Sequence, residues 1–268
     1  MVCDDGSTDG SEKAVKLIND NRIRWIPGVR KGLPASARNT AVQNASNQII
    51  FCLDSDNILS DYSINKLKNF LIDECAHIAS FQKLKFFNSD TSSITHSWIF
   101  RSENISLNDC LASYIVPISS GNYMYTRQSW VDAGGYPEES KALDAWGFGF
   151  RQLASNQRMV VLKDSFYYHR YGHESYWTRE SKFGNNSIIA FQILTPYLHK
   201  LSFLTKRYII SSFGQKKWFD EIGYLPFRLK NGKKGVGGAV IQNDKLRLVK
   251  FRKIYSHLKF FIVGILGV

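Results

Sequence analysis

Short apolar runs alternate with helical stretches through the first third of the chain, and this alternation most constrains the fold. Residues 11–19 place Ala14, Leu17 and Ile18 at helical spacing, and an apolar run that fits a buried strand fills residues 48–53. A second helical stretch covers 63–72, and a strand-like stretch covers 78–87. Strands that alternate with helices are typical of α/β folds. We therefore expect an α/β sandwich with a mixed, mainly parallel sheet.

Further along the chain the pattern is less regular but still predicts elements. It predicts short strands over 23–26, 122–126 and 159–162, a helix within 32–45, and a helix over 146–154. After Lys200 the composition shifts to Lys, Arg, Phe and Tyr, so we expect the main domain to cover 1–195 and a basic, aromatic-rich extension to cover 196–268.

The charge of the chain lies at one end. Residues 1–199 hold 20 Lys and Arg against 20 Asp and Glu, whereas residues 200–268 hold 15 against 3, so the excess of 15 − 3 = 12 lies in the last quarter. A neutral body argues against nucleic-acid binding, which would need a basic face on the main domain. A basic end that finishes in an apolar stretch is typical of contact with an anionic membrane surface.

The cysteines exclude two other classes. Cys3, Cys52, Cys75 and Cys110 form no CxxC pair, so the sequence does not support a zinc site or a disulfide-rich secreted scaffold. Hydrophobic residues make up 44% of the chain and charged residues 22%, which is ordinary for a globular protein. We expect reduced thiols and a cytoplasmic protein, peripheral at the cytoplasmic membrane face.

Two acidic motifs follow predicted strands. The first is the run Asp4-Asp5-Gly6-Ser7-Thr8-Asp9, where carboxylates could accept hydrogen bonds from a base or a ribose; an Asx-rich turn that caps the next helix is the alternative. The second is Asp54-Ser55-Asp56, directly after the apolar run. Paired carboxylates at that position are typical ligands of Mg²⁺ or Mn²⁺, which bridge protein to phosphates.

These motifs, together with Gly32-Leu33-Pro34-Ala35-Ser36-Ala37-Arg38-Asn39, resemble the nucleotide-binding half of family-2 glycosyltransferases with the GT-A fold. Ser120-Gly121-Asn122 and Ala133-Gly134-Gly135-Tyr136 are similar to the acceptor-side segment of that family, so the resemblance covers roughly residues 2–180. It implies that Asp4 or Asp5 contacts the nucleotide base and that Arg38 lies near the nucleotide. It further implies that Asp54 and Asp56 bind the ribose and a divalent metal.

The same resemblance implies a general base. The family carries an acidic pair at the start of a helix, and here Asp144 is the single nearby acid: one register puts Leu143 at the first acidic position, and another puts Ala145 at the second. The alternative role for Asp144 is a helix N-cap. Downstream, His169 and His173 are spaced i, i+4 among aromatic residues, and His169 is a candidate third metal ligand; packing in the core is its alternative.

The implied function is an inverting transfer of a sugar from a nucleotide-diphospho-sugar, such as a UDP-sugar, to a hydroxyl of a glycan or lipid-linked glycan. Members of the family begin with a further strand, loop and helix before the first acidic motif. We therefore expect a GT-A domain that lacks its first strand. The alternative is a catalytically inactive remnant that only binds a partner or a membrane, and the missing unit predicts little or no activity for the chain as written.

Overall fold

The protein is described by a computed structural model that covers residues 1–172, 175–181, 184–231 and 239–242, with the single residues 235, 260 and 264. Helices and strands alternate through the first half, as the sequence predicts. The helices are α1 (Ser11–Leu17), α2 (Pro34–Asn44), α3 (Ser63–Asp73), α4 (Leu107–Ala112), α5 (Arg127–Asp132), α6 (Asp144–Ala154), α7 (Tyr176–Ser181), α8 (Asn186–Leu194), α9 (Phe203–Ile210) and α10 (Ser212–Lys217). Three 3₁₀ turns cover Pro117–Ser120, Glu138–Leu143 and Thr195–Lys200.

The described strands form two sheets. They are β1 (Val2–Cys3), β2 (Trp25–Ile26), β3 (Ile49–Phe51), β4 (Ile58–Leu59), β5 (Ile78–Phe87), β6 (Ile94–Ile99), β7 (Asn104–Ile105), β8 (Met124–Thr126), β9 (Met159–Arg170) and β10 (Val240–Gln242). The small sheet pairs β1 with β2 in parallel. The large sheet has the order β10-β6-β5-β8-β3, and β9 pairs with β5, β4 and β7.

The large sheet is mixed, as expected, but the expectation that it is mainly parallel was wrong. Within it the β5–β9 pair is parallel, whereas β6 and β8 both run antiparallel to β5, and β3 runs antiparallel to β8. For β6 the physical reason is the length of the connection. A short turn joins β5 directly to β6, and parallel neighbours need a crossover of about a dozen residues or more, which the chain supplies between β5 and β9.

One hydrophobic core holds these elements together. It takes Trp146, Phe148 and Phe150 from α6, and these side chains are at most 1% exposed. The predicted domain boundary near 195 falls at the end of α8, and aromatic residues beyond it, such as Trp218 and Phe227, pack into the same core. Within the described part of the chain, no helix combines the length and apolar character needed to cross a membrane.

A cavity of about 820 Å³ lies beside the small sheet. Val2, Cys3 and the residues of β3 are among those that line it. It extends to Arg38, which lies in α2, and to Asp54, which follows β3. The cavity therefore leads to the loop that carries the second acidic motif.

Candidate functional site

The loop after β3 presents Asp54 in a fixed orientation. The backbone N–H of Asp54 donates to Oδ1 of Asn122 at 2.8 Å, and Nδ2 of Asn122 donates back to Oδ2 of Asp54 at 3.0 Å. Asn122 is only 1% exposed and also donates to the carbonyl of Ser120. Because buried polar groups that are fully hydrogen-bonded keep one geometry, this amide holds the carboxylate in place.

Arg38 joins two carboxylates that are far apart in sequence. Its Nη2 lies 2.5 Å from Oδ1 of Asp54, and its Nη1 donates to Oδ2 of Asp144. The side chains of Arg38 and Asp144 are 16% and 5% exposed, so this ion triad lies largely out of water. A planar guanidinium can serve two carboxylates at once because its donors point in fixed, divergent directions.

The triad shifts the pKa of each of its members. Burial alone would lower the pKa of Arg38, but the carboxylates of Asp54 and Asp144 raise it well above its usual range, so the guanidinium stays charged. Burial opposes the ionised form of Asp54, yet the Arg38 charge holds the pKa of Asp54 below its ordinary value. For Asp144 burial prevails and raises the pKa, with Arg38 acting against that rise.

Asp144 is the first residue of α6, whereas the N-cap position falls on Leu143. The structure therefore does not place Asp144 in the capping role that was its alternative.

Close packing puts the start of this helix at the site. A Cβ at Gly149 would lie 2.3 Å from Cβ of Ile118, so only glycine lets α6 approach the 3₁₀ turn that leads to Asn122.

Gly121 lies at the centre of the site. Its φ of +77° belongs to the left-handed region that favours glycine. A Cβ there would lie 3.3 Å from Cβ of Ala145, 3.5 Å from Oδ2 of Asp54 and 3.6 Å from Nη2 of Arg38. The missing side chain thus leaves open the space beside the Arg38–Asp54 pair.

Asn39 fastens α2 to the turn at Tyr136. Its Oδ1 accepts from the backbone N–H of Tyr136 at 2.8 Å and from Nε1 of Trp130 at 3.2 Å. Its Nδ2 donates to the carbonyl of Tyr136 at 2.9 Å. Because Arg38 precedes Asn39 on the same helix, these bonds also set where the guanidinium can reach.

The first acidic motif forms a turn and a brace. Oδ2 of Asp4 accepts from the backbone N–H groups of Gly6 and Ser7 at 3.0 and 2.9 Å. A hydrogen bond with the Ser7 side chain, followed by these backbone bonds, lowers the pKa of Asp4. Asp5 accepts from the N–H groups of Lys31 and Gly32 at 2.9 and 2.8 Å, just before α2. Both carboxylates thus organise local backbone, but the alternative expected for this motif, a turn that caps the next helix, is met only in its turn, because the N-cap Gly10 of α1 has no side-chain cap.

Asp56 lies on the same loop as Asp54, and His169 lies near the end of β9. Nε of Arg170 donates to the carbonyl of Asp56 at 3.3 Å, which brings the end of β9 against the loop. His169, next to Arg170, packs its ring 4.9 Å from that of Phe86 and lies within electrostatic reach of Asp54. His173 falls outside the described residues. Among the described residues, no group of three or more His, Cys, Asp or Glu side chains converges on a metal position.

The structure therefore brings together Arg38, Asp54 and Asp144, with Asp56 on the same loop as Asp54. The sequence reasoning assigned no role to Asn122 or Asn39, although both lie in motifs that carried the resemblance. No local periodicity identifies either side chain, because their partners are 68 and 97 residues away. Asn122 follows Gly121 and Asn39 follows Arg38 in the sequence, and this adjacency was the available signal for a role in the site.

Comparison with known proteins places this geometry in context. A model of the family described as "Glycosyl transferase family 2" matches residues 1–134. The chain is 40% identical over 68 residues to the Escherichia coli UDP-Glc:alpha-D-GlcNAc-diphosphoundecaprenol beta-1,3-glucosyltransferase WfgD, a match that covers 25% of this chain and 26% of that protein. It is 23% identical over 133 residues to the glycosyltransferase GlyG of Streptococcus pneumoniae serotype 4, covering 49% of this chain and 43% of that protein. The chain thus spans less than half the length of these relatives.

Solved structures share the fold. The Staphylococcus aureus protein TarS, residues 1–349 in complex with UDP-GlcNAc, superposes with a TM-score of 0.60 at 19% sequence identity. The match covers 80% of this chain and 62% of TarS 1–349. TarS 1–349 in complex with UDP superposes with a TM-score of 0.54 at 18% identity, covering 78% of this chain and 59% of that one. At this identity the likeness concerns the fold.

Proposed function

Because this chain belongs to glycosyl transferase family 2, we propose that it transfers a sugar from a nucleotide-diphospho-sugar to an acceptor hydroxyl. A UDP-sugar is the best-supported donor, since TarS was solved with UDP-GlcNAc and the WfgD relative is named for a UDP-Glc donor. A glycan or lipid-linked glycan is the proposed acceptor, by analogy with the diphosphoundecaprenol substrate in the name of WfgD. Because the match covers 26% of WfgD, the acceptor is assigned to this chain by analogy.

The observation that carries the proposal is the Arg38 bridge between Asp54 and Asp144. It unites the acidic loop assigned to the donor with the one buried carboxylate assigned to the acceptor. A transferase needs both within one site, because the acceptor oxygen must attack the carbon from which the diphosphate departs.

In this proposal Asp144 is the general base. It accepts the proton of the acceptor hydroxyl while the hydroxyl oxygen forms a bond to the anomeric carbon of the donor. The bond between that carbon and the diphosphate oxygen breaks, and its electron pair leaves with the nucleoside diphosphate. A single displacement of this kind inverts the configuration at the anomeric carbon.

A divalent metal, Mn²⁺ or Mg²⁺, fits the donor set of this loop. Asp54 and Asp56 offer the hard oxygen ligands that these ions prefer, and His169 lies near Asp54 as a further candidate ligand. The described side chains supply no complete cage, so diphosphate oxygens and water would complete the coordination. When bound, the metal would offset the negative charge that develops on the leaving diphosphate.

The nucleotide end of the donor belongs beside β1. Asp4 and Asp5 lie directly after β1, and each carboxylate oxygen of Asp5 has lone-pair capacity beyond the single backbone N–H group that it accepts. We assign these residues to the base, and Asp54 also to the ribose, with Arg38 alongside the nucleotide. The basic end of the chain would hold the domain at an anionic membrane face, where lipid-linked acceptors reside.

A donor and product assay tests this function. The assay decides between this function and the inactive remnant: if the chain is the transferase, it converts one of a panel of UDP-sugars in the presence of Mn²⁺ and a lipid-linked or free glycan acceptor, and nuclear magnetic resonance shows inverted anomeric configuration in the product. UDP binding without any transfer or donor hydrolysis across the panel would contradict the catalytic proposal. Retention of configuration would contradict the single displacement.

A further inference from the structure

We propose that Arg38 is a positioning residue that competes with the divalent cation for Asp54 and keeps hold of Asp144 when the cation binds. The inference rests on the proposed function, since it assigns the cation to Asp54. It adds a second role to a residue whose expected place was merely near the nucleotide.

Both oxygens of Asp54 are engaged before any cation arrives. Oδ1 lies 2.5 Å from Nη2 of Arg38, and Oδ2 accepts from Asn122 at 3.0 Å. The Asn122 bond is neutral and leaves the carboxylate its charge. The Arg38 bond places a full positive charge where a cation would bind, and two like charges at such separations repel strongly in a poorly solvated site.

Arg38 can give up one partner without losing the other. Its two terminal nitrogens serve different carboxylates: Nη2 faces Asp54, and Nη1 faces Asp144. Gly121 leaves space beside Nη2, because a Cβ there would lie only 3.6 Å from this nitrogen. A small rotation of the guanidinium plane therefore frees Asp54 while the bond to Asp144 persists.

Holding Asp144 has a chemical purpose. This carboxylate is 5% exposed, and an isolated buried carboxylate is costly to keep ionised. The Arg38 charge favours its ionised form, in which it can accept a proton, and the hydrogen bond orients the oxygen. Arg38 thus links occupation of the donor side to the readiness of the acceptor side.

Calorimetry with Mn²⁺ alone tests the competition. Arg38→Gln removes the positive charge, so we expect it to bind Mn²⁺ at least about tenfold more tightly than the unmodified chain. The same variant should transfer sugar at least about a hundredfold more slowly, because Asp144 loses its partner. A residue that merely supported the fold would weaken both properties together. Arg158→Gln is the matched control, because it breaks the exposed ion pair with Glu74 and should change neither.

Arg38→Lys provides a second reading if Arg38→Gln does not fold. Lysine keeps the charge but lacks the planar fork that serves two carboxylates, so Mn²⁺ affinity should rise less than in Arg38→Gln and still exceed that of the unmodified chain. If the unmodified chain binds Mn²⁺ and a folded variant binds it equally or more weakly, the competition is overturned. The proposed function then stands. Absence of Mn²⁺ binding by the unmodified chain overturns the inference together with the proposed metal site.

Discussion

At the scale of single residues, the candidate site is a small charge network in a poorly solvated position. Two carboxylates and one guanidinium form this network, and each comes from a different part of the fold: Asp54 after β3, Asp144 at the start of α6 and Arg38 in the middle of α2. The net charge of the triad is negative, which supports the proposed binding of a divalent cation. Each residue therefore has a distinct expected effect when it is changed.

Asp144→Asn separates donor binding from transfer. The substitution keeps the shape of the side chain but removes its ability to take a proton, so turnover should fall by about a hundredfold or more. UDP-sugar affinity should stay nearly unchanged, because the donor side rests on Asp54 and its loop. Glu139→Gln is the control, since Glu139 is exposed and pairs with Arg151. Turnover close to that of the unmodified chain would assign the base to another residue.

The pH dependence of transfer follows from the raised pKa of Asp144. Burial raises that pKa above its ordinary value of 3.8, so Asp144, the proposed base, is protonated at a higher pH than an exposed aspartate would be. Activity should therefore fall as pH falls through this raised pKa, and the acid limb should move to still higher pH in Arg38→Gln, where the opposing charge is gone. A pH–rate profile with donor held saturating measures this limb. An acid limb at the same pH in both proteins would contradict the coupling.

At the scale of elements, the site depends on how α2, α6 and the 3₁₀ turn at Pro117–Ser120 pack together. Asn39 ties α2 to α5 and to the turn at Tyr136, since its amide bonds to both backbone groups of Tyr136 and to the indole of Trp130. The adjacent Arg38 is thereby aimed at two carboxylates. The stability of this junction should be measurable separately from catalysis.

Asn39→Ala should destabilise the fold by about 1–3 kcal/mol, the cost of leaving buried polar groups without partners. Urea unfolding measures the change in the free energy of unfolding. Asn44→Ala is a control on the same helix, because it removes a single exposed bond to the carbonyl of Thr40. A smaller loss for Asn39→Ala than for the control would show that the junction does not hold α2.

Local sequence patterns predicted the helices and strands better than they predicted how these elements are arranged. The strand over 78–87 was predicted at its observed bounds because its apolar residues alternate, and the helix over 63–72 ends one residue later than predicted. The acidic loop was recognisable because an apolar run ends there, although the strand that this run forms is only half-buried. By contrast, the contact between Arg38 and Asp144 joins residues 106 positions apart, and no local pattern carries that information. The direction of the strands was mispredicted because it depends on connections between elements.

At the scale of the whole molecule, a neutral body carries a strongly basic end. The 15 Lys and Arg among residues 200–268 face only 3 Asp and Glu, and most of residues 232–268 lie outside the described part of the chain. The described portion of this end is anchored, since Tyr208, Trp218 and Phe227 are buried in the core. The basic region is therefore tied to the domain that carries the site.

The full chain should bind vesicles that contain anionic lipid and bind neutral vesicles more weakly. Raising salt to about 0.5 M should weaken the binding, because the Debye length then falls to a few ångström. Co-sedimentation with the two vesicle types measures this. Exchanging Lys250, Arg252 and Lys253 for glutamine should reduce binding, whereas exchanging Lys13 and Lys16 on α1 should not. Equal binding to both vesicle types would contradict an electrostatic attachment.

The central claim is that the acidic loop after β3 binds the diphosphate of a nucleotide-sugar through a divalent cation. Asp56→Ala tests it most directly, because Asp56 lies on that loop and takes no part in the Arg38 triad. Calorimetry of UDP in the presence and absence of Mn²⁺ should show metal-dependent binding by the unmodified chain and none by Asp56→Ala, with both proteins equally stable. UDP binding that is unchanged in Asp56→Ala would contradict the account.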